Sequence, residues 1–193
     1  MGSIECIATL LGLACVALAA RRSLWTFPCG IASVTLLGIV VFEARLYSDA
    51  LLQAFFVVAN VYGWLNWSRS TDAEGAVSVK HMPASMRLRW LAGTLVASLV
   101  WAAFVHRFTD ASYPIWDALI AGTSVAAQLL MARRRIEHWW LWIAVDVASV
   151  PLYLAKQLYL FAALYLLYLA LSVWGLIDWR RAARRAARGI VTD

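Results

Sequence analysis

Charged residues are scarce in this chain: they make up 15% of its 193 residues, whereas hydrophobic residues make up 63%. A water-soluble domain has roughly 25% charged and roughly 45–50% apolar residues. A soluble fold of this size cannot bury so much apolar surface, because much of a small domain's surface stays exposed to water. The composition therefore excludes a soluble enzyme, a disordered chain and a nucleic-acid-binding domain, and it predicts a multi-pass membrane protein.

The sequence also lacks the motifs of common catalytic and metal sites. Its three cysteines form no C-x-x-C pair, and its three histidines all lie near predicted loops. No H-E-x-x-H motif, paired acidic motif or glycine-rich phosphate loop is present. We therefore expect no disulfide, no metal, no cofactor and no catalytic residue, and a membrane-embedded enzyme is a weaker alternative because it needs converging acid–base groups.

Seven apolar stretches are long enough, or nearly so, to cross a bilayer, which takes about 20 residues. They cover residues 4–20, 24–43, 48–68, 88–106, 112–132, 139–155 and 157–178. Most connections are short, but the stretch from Ser68 to Arg87 is polar and contains Asp72, Glu74, Gly75 and Pro83. The pattern predicts an all-α membrane protein with seven transmembrane helices and one substantial loop between two halves.

Positive charge is distributed unevenly between the segments that join these spans. Fourteen of the 17 lysines and arginines fall on the side that holds the C-terminus, and only Arg45, Arg107 and Lys156 fall on the other. Cytoplasmic loops of membrane proteins carry this excess. The sequence therefore predicts a cytoplasmic C-terminus and an N-terminus outside, with the basic tail against anionic lipid headgroups.

The third and seventh predicted spans resemble each other when they are aligned residue by residue with Gly63 opposite Gly175. The fixed number of positions between such equivalent residues is here called the repeat offset. Eight identities fall in 24 aligned positions, and they include a G-x-x-x-W-x-R pattern that begins at each of the two glycines. An even number of crossings separates the two spans, so the repeat is parallel. This favours a 3+1+3 arrangement like that of small SWEET-type transporters over chance similarity between apolar helices.

The repeat divides the chain into four parts. We expect a first three-helix bundle at 1–70, a cytoplasmic loop and linker helix at 71–108, a second three-helix bundle at 109–180 and a basic cytoplasmic tail at 181–193. In transporters with internal repeats, the substrate site lies near the membrane midplane between the repeats. The polar residues at that depth are therefore the candidates for a site.

The sixth predicted span carries the most informative of them, because an acid at membrane depth is costly and indicates function by default. Trp139, Trp142 and Asp146 are spaced i, i+3 and i+7 and so share one helical face. Indole faces stack on flat or cationic rings, and a carboxylate accepts hydrogen bonds from sugar hydroxyls. The stripe suits a ligand with a cationic heteroaromatic ring and a sugar. The alternatives are an interfacial belt position for Trp139 and a structural hydrogen bond for Asp146.

Polar residues on three other spans are candidates to line the same cavity. Gln53 and Asn60 lie two turns apart on one face of the third span, and an amide there suits a ligand's carboxamide. Tyr165 on the seventh span is the repeat mate of Gln53, and Gln128 lies toward the inner end of the fifth span. Interhelical hydrogen bonding, packing and lipid contact are their alternative roles.

Two segments resemble the PnuC family of bacterial vitamin transporters. They are RLYSDALLQAFFVVANVYGWLNW at 45–67 and AQLLMARRRIEHWWLWIAVDVASVPLYLAKQLY at 127–159, and the similarity extends from about Trp25 to Trp179. Trp139, Trp142 and Asp146 match the family's W-x-x-W-x-x-x-N/D signature, which is associated with nicotinamide riboside specificity. Gln53 lies where the family places a substrate-contacting glutamine.

This resemblance implies uptake of nicotinamide riboside by facilitated diffusion across the inner membrane, with a cytoplasmic nucleoside kinase trapping the product by phosphorylation. It also implies the 3+1+3 fold and a homotrimer, and in an inner membrane the N-terminus that the charge distribution places outside is periplasmic. Related branches carry thiamine or riboflavin, so these are alternative substrates. A proton-coupled carrier that uses Asp146 as the titrating group is another alternative, and so is a structural or sensory seven-helix protein.

Overall fold

The computed structural model describes residues 2–70, 77–108 and 113–189, which form seven α-helices. The helices are α1 (Ser3–Ala20), α2 (Thr26–Glu43), α3 (Tyr47–Ser68), α4 (Ala84–Phe108), α5 (Pro114–Ala132), α6 (His138–Ala155) and α7 (Tyr159–Gly189). Each predicted span coincides with one helix, and the predicted all-helical fold is confirmed. Within the predicted loop, Asp72, Glu74 and Gly75 lie outside the described residues.

Four of the described helices are long and apolar enough to cross a membrane: α1, α2, α5 from Ile115, and α7 as far as Ala186. The other three carry more polar side chains, among them Gln53 on α3, Arg89 on α4 and Asp146 on α6. Large apolar side chains are exposed on all seven helices. Such a surface is typical of a protein covered by lipid rather than by water.

Four connections end their preceding helix in the same way. The second residue after α1, α2, α5 and α6 has a left-handed backbone, at Arg22, Arg45, Arg134 and Gln157, with φ of 59°, 61°, 59° and 57°. The next N–H in each case donates to the carbonyl five positions earlier, as from Ser23 to Leu18 at 3.0 Å. This is the Schellman geometry that satisfies the last carbonyls of a helix. The repeat offset relates Arg22 to Arg134 and Arg45 to Gln157.

Neighbouring helices pack within two groups, here called the first bundle (α1–α3) and the second bundle (α5–α7). Between the bundles, α1 packs against α7 and α3 packs against α5. Helix α4 packs against α5. The two cross-contacts are equivalent, since the repeat offset relates α1 to α5 and α3 to α7.

The hydrophobic core lies at one end of the helices. Its buried members are Ala19, Ala20, Phe27, Trp67, Val77, Met131, Ile136, Trp139, Leu176 and Trp179. Arginines 21–22, 133–135 and 180–181 lie at the same end, which is here called the arginine-rich end.

The segment that precedes α4 is bonded to the connection between α5 and α6. Lys80 N–H donates to the Arg134 carbonyl at 2.9 Å, and Ile136 N–H donates to the Lys80 carbonyl at 3.1 Å. The Glu137 carboxylate accepts the Met82 N–H at 3.0 Å and pairs with Arg87 at 3.0 Å. These bonds attach the described part of the connecting loop to the second bundle.

Helix α7 is longer than the seventh predicted span, which ends at residue 178. It continues to Gly189 and so includes most of the segment that was predicted as a tail at 181–193. Alanine and arginine are strong helix formers, and Gly189 is the first glycine or proline after Gly175. As far as Gly189, the predicted basic tail is therefore helical and continuous with α7.

Candidate substrate-binding site

Asp146 is buried between α6 and α7, with 3% of its surface exposed. Ser172 of α7 donates a hydrogen bond from Oγ to Asp146 Oδ2 at 2.9 Å. None of the ion pairs found in the described part of the chain includes Asp146. A buried carboxylate without a cationic partner is costly to hold, so this position favours a ligand that supplies the missing charge.

Two tyrosines of α7 extend this polar site toward the first bundle. Tyr165 and Tyr168 both interact electrostatically with Asp146, and Tyr153 of α6 stacks on Tyr165 with ring centroids 5.1 Å apart. The Tyr168 hydroxyl lies 2.6 Å from the place that a Cβ on Gly12 would occupy. Any side chain on α1 at this position would displace the hydroxyl. The sequence indicated Tyr165 through the repeat but gave Tyr168 no role in the site.

The structure separates the two tryptophans that the sequence placed with Asp146 on one stripe. Trp139 is 1% exposed, and its ring packs on α7 at Gly175, where a Cβ would collide with it. Its ring also contacts His138 and Trp179. Trp142 is half-buried and packs against the same core from one turn further along α6. Trp142 therefore lies between the core and Asp146, whereas Trp139 is enclosed in the core.

Asn60 on α3 and Gln128 on α5 are buried polar residues on two helices that pack together. Asn60 Nδ2 donates to the Phe56 carbonyl at 2.8 Å. Neither Asn60 Oδ1 nor Gln128 Nε2 has a hydrogen-bond partner among the described residues. Buried polar atoms are nearly always bonded in native proteins, so these two atoms are available to a polar ligand or a water.

Gln53 lies against α2, where a Cβ on Gly38 would be 3.3 Å from its own Cβ. It lines a cavity of about 510 Å³ between α2 and α3, together with Gly38 and Ala50. A larger cavity of about 710 Å³ lies between α5, α6 and the last residues of α4, where His106 and Trp116 line it. Neither of these two cavities includes Asp146 in its described lining, and the polar site around Asp146 is closed in this conformation.

The fold and the site together define a multi-pass membrane transporter, in which buried polar side chains lie within an apolar helical bundle. A solved chain with the same fold is described as the crystal structure of the vitamin B3 transporter PnuC. It superposes with a TM-score of 0.78 and 24% sequence identity, over 94% of this chain and 82% of that chain. The likeness shows the fold.

The family itself is shown by the sequence comparison. The family model described as "Nicotinamide mononucleotide transporter" matches residues 2–181, and the chain belongs to this family. Its members are transporters, so the protein is not an enzyme, and the resemblance to the PnuC family is confirmed.

Curated relatives differ in the molecules that their names state. The chain is 29% identical to the nicotinamide riboside transporter PnuC of Escherichia coli strain K12 over 213 residues, which cover 97% of this chain and 89% of the relative. It is 34% identical to the riboflavin/roseoflavin transporter RibM of Streptomyces davaonensis over 193 residues, again 97% of this chain and 89% of the relative.

Proposed function

We propose that the protein carries nicotinamide riboside into the cell across the bacterial inner membrane. The observation that carries the proposal is the buried Asp146 carboxylate, which has no cationic partner among the described residues. Nicotinamide riboside has a positively charged pyridinium ring and ribose hydroxyls. The ring supplies the missing charge, and the hydroxyls donate hydrogen bonds to the carboxylate.

Other side chains of the helical bundle suit the rest of this molecule. The indole of Trp142 offers a flat face to a cationic ring, which is the strongest kind of aromatic–cation contact. The unpaired Asn60 Oδ1 and Gln128 Nε2 offer one acceptor and one donor, which is what a carboxamide requires. Gln53 remains a proposed substrate contact, and it lines the cavity between α2 and α3.

Riboflavin is the second candidate substrate, because RibM is 34% identical to this chain. Its isoalloxazine ring is neutral at pH 7, so it would leave the Asp146 charge unpaired, although its ribityl hydroxyls could still donate to the carboxylate. Charge complementarity favours nicotinamide riboside over riboflavin for this reason. Thiamine, which is cationic, is the third ligand to compare.

Calorimetric titration of the purified protein with nicotinamide riboside, thiamine and riboflavin tests the proposal. We expect the tightest binding for nicotinamide riboside. Saturable binding of riboflavin with no heat from nicotinamide riboside would replace the first candidate with the second. Nicotinamide, which lacks the ribose and the positive charge, is the matched control ligand and should bind weakly.

The proposal extends to the direction and energetics of transport. Nothing in the described residues resembles a nucleotide-binding motif, so we propose facilitated diffusion, with phosphorylation by a cytoplasmic nucleoside kinase preventing return of the product. The arginine-rich end would face the cytoplasm and the N-terminus the periplasm. A reporter fused to the C-terminus that is active only in the cytoplasm tests this orientation.

We also propose the assembly and the moving parts. The segments 1–70 and 109–180 would act as two bundles joined by the loop and linker helix at 71–108, and three copies would associate as a homotrimer. The apolar surface of α4, which includes Leu91, Leu95 and Leu99, is available for such association. Native mass spectrometry from lipid nanodiscs gives the number of copies directly.

A further inference from the structure

Two buried tryptophans join the bundles by equivalent hydrogen bonds. Trp67 of α3 donates from Nε1 to the Met131 carbonyl at the end of α5, at 3.1 Å. Trp179 of α7 donates from Nε1 to the Ala19 carbonyl at the end of α1, at 2.9 Å. The repeat offset relates the two donors to each other, and it relates the two acceptors as well. Both indoles are fully buried, so each bond forms away from water.

The residue before each tryptophan makes a second connection between the bundles. Asn66 Nδ2 donates to the Ala132 carbonyl at 2.7 Å. Asp178, the repeat equivalent of Asn66, pairs with Arg22 at 3.4 Å. The same two positions thus join the bundles by a hydrogen bond on one side and by an ion pair on the other.

The rings of the two tryptophans fill the space between these bonds. Their centroids are 5.6 Å apart, and Phe27 contacts the Trp67 ring edge-on at 5.0 Å. Trp139, the repeat equivalent of Phe27, contacts the Trp179 ring edge-on at 6.0 Å. All four rings are buried in the core at the arginine-rich end.

These connections lie at one end of the molecule. Among the described residues, the side-chain hydrogen bonds and ion pairs that join the first bundle to the second all lie at the arginine-rich end. At the opposite end, Lys156 pairs with Asp117 at 3.0 Å, but both residues belong to the second bundle. The bundles are therefore held together by polar side-chain bonds at one end.

We propose that Asn66, Trp67, Asp178 and Trp179 form a lock that closes the transport path at the arginine-rich end. Its bonds must break for substrate to pass between the Asp146 site and that side of the membrane. The inference rests on the proposed transport function. Its physical basis is that two bundles bonded at one end can separate there only by losing those bonds. At the opposite end of the described residues, Asp49 of α3 interacts electrostatically with Asp117 and Lys156, but no direct hydrogen bond or ion pair between the bundles is found.

Cys15 of α1 is a natural reporter for opening. It lies one helical turn, about 6 Å, before the Ala19 acceptor on the side toward the membrane interior. Its Sγ is 3.4 Å from Thr26 Oγ1 and is partly buried. Replacing Cys6 and Cys29 by serine leaves Cys15 as the single thiol, and a membrane-impermeant maleimide then reports access from each side of sealed vesicles.

The test compares two double variants in this background. Trp67→Phe with Trp179→Phe keeps the aromatic bulk but removes both N–H donors. Trp64→Phe with Trp140→Phe changes one exposed tryptophan in each bundle, 42% and 49% exposed, and is the matched control. We expect the first pair to raise Cys15 labelling from the arginine-rich side about tenfold over the control, since each hydrogen bond within a membrane is worth about threefold.

Equal labelling of the two double variants would overturn the lock. A rise from both sides of the membrane would overturn it as well, because general loosening of the fold is not directional. If the tryptophan variants do not fold, Asp178→Asn provides the measurement, because Asp178 and Arg22 are partly exposed. We expect about threefold faster labelling for Asp178→Asn than for Glu43→Gln at the exposed end of α2, and no difference would contradict the proposal.

The experiments distinguish an error in the proposed lock from an error in the proposed substrate. If the wild-type protein binds none of the three vitamins, the proposed function fails, but the side-dependent labelling still tests the lock. If nicotinamide riboside binds and labelling is unchanged in both sets of variants, the lock is wrong while the proposed function stands. Saturating nicotinamide riboside should also change the Cys15 labelling rate of the wild-type protein, because the site around Asp146 extends to Tyr168, which lies against Gly12 of α1.

Discussion

At the scale of single residues, burial separates those that can act on a ligand from those that hold the helices together. Asp146 is a carboxylate in an apolar bundle with Ser172 as its hydrogen-bond donor, and nothing in the described packing requires a charge there. Trp139 differs, because its ring is 1% exposed and packs in the core, although its Nε1 has no hydrogen-bond partner among the described residues. The sequence pattern alone treats both as members of one stripe.

Replacing Asp146 by alanine should weaken binding of nicotinamide riboside by about 10- to 100-fold, because a hydrogen bond to a charged group is worth about 1.5–3 kcal/mol. Asp146→Asn keeps an acceptor but loses the charge, and we expect an intermediate affinity. Ser124→Ala is the control, since its hydroxyl is already bonded within α5 to the Ile120 carbonyl at 2.8 Å. Calorimetry on the three variants measures the effect, and equal affinity of all three would rule out Asp146 as a ligand.

The two tryptophans of α6 should respond differently to truncation. Trp142→Ala is expected to reduce ligand affinity with a small change in melting temperature, because Trp142 is half-buried beside the site. Trp139→Ala empties a fully buried ring position and should cost about 3–5 kcal/mol of stability. Thermal unfolding in detergent, followed by binding on the folded fraction, separates the two effects. A loss of stability in Trp142→Ala together with a loss of affinity alone in Trp139→Ala would contradict these two roles.

At the scale of helices, close approach depends on two glycines at equivalent positions of α3 and α7. A Cβ on Gly63 would collide with the Phe27 ring of α2, and a Cβ on Gly175 would collide with the Trp139 ring of α6. Both aromatic rings lie in the packed core and cannot move away freely. The two glycines therefore let α2 approach α3, and α6 approach α7, in the same way.

Gly63→Ala and Gly175→Ala should each destabilise the protein by about 1–3 kcal/mol, because overpacking a filled core forces rings and backbone to shift. Gly93→Ala on α4 is the control, since no atom lies within 4 Å of its added methyl group. Alanine favours a helix by about 1 kcal/mol over glycine, so the control should be neutral or stabilising. Melting temperatures of the three variants in one detergent give the comparison.

The conformations at the helix ends could not be predicted from the sequence pattern. The left-handed positions after four helices are occupied by three arginines and one glutamine, whereas glycine is the residue that usually marks such a position. Nothing in the apolar pattern distinguishes these four residues from their neighbours. The extension of α7 was missed for a related reason, since charge ended the predicted span at a point where the helix itself continues.

At the scale of the whole molecule, the proposed facilitated diffusion uses no energy source, and this property can be tested directly. Collapsing the proton gradient with an ionophore should leave the initial uptake rate of labelled substrate unchanged, because facilitated diffusion follows only the substrate's own gradient. A fall of severalfold would instead favour the proton-coupled carrier with Asp146 as the titrating group. A proton-coupled transporter assayed in the same cells verifies that the ionophore acts.

Much of the architecture of the two bundles could be predicted from the sequence. The number of helices and their approximate bounds follow from the lengths of apolar runs, because a bilayer requires about 20 residues for each crossing. The repeat offset was also apparent in the sequence. In the structure it relates pairs of contacts that could not be predicted from the sequence. Trp67 and Trp179 were recognised as identical residues, but their bonds to the opposite bundle depend on which helices meet.

The sequence by itself determined that this is a membrane protein of seven helices, that it belongs among small transporters, and that Asp146 is an unusual residue. These follow from local properties, namely the hydropathy of each segment and the cost of a charge at membrane depth. Only the tertiary structure decided that Trp139 packs in the core, that Gln53 lines a cavity between α2 and α3, and that the bundles are bonded at the arginine-rich end. Which side chains meet across two helices depends on their rotation and depth, and neither is encoded in the spacing along one helix.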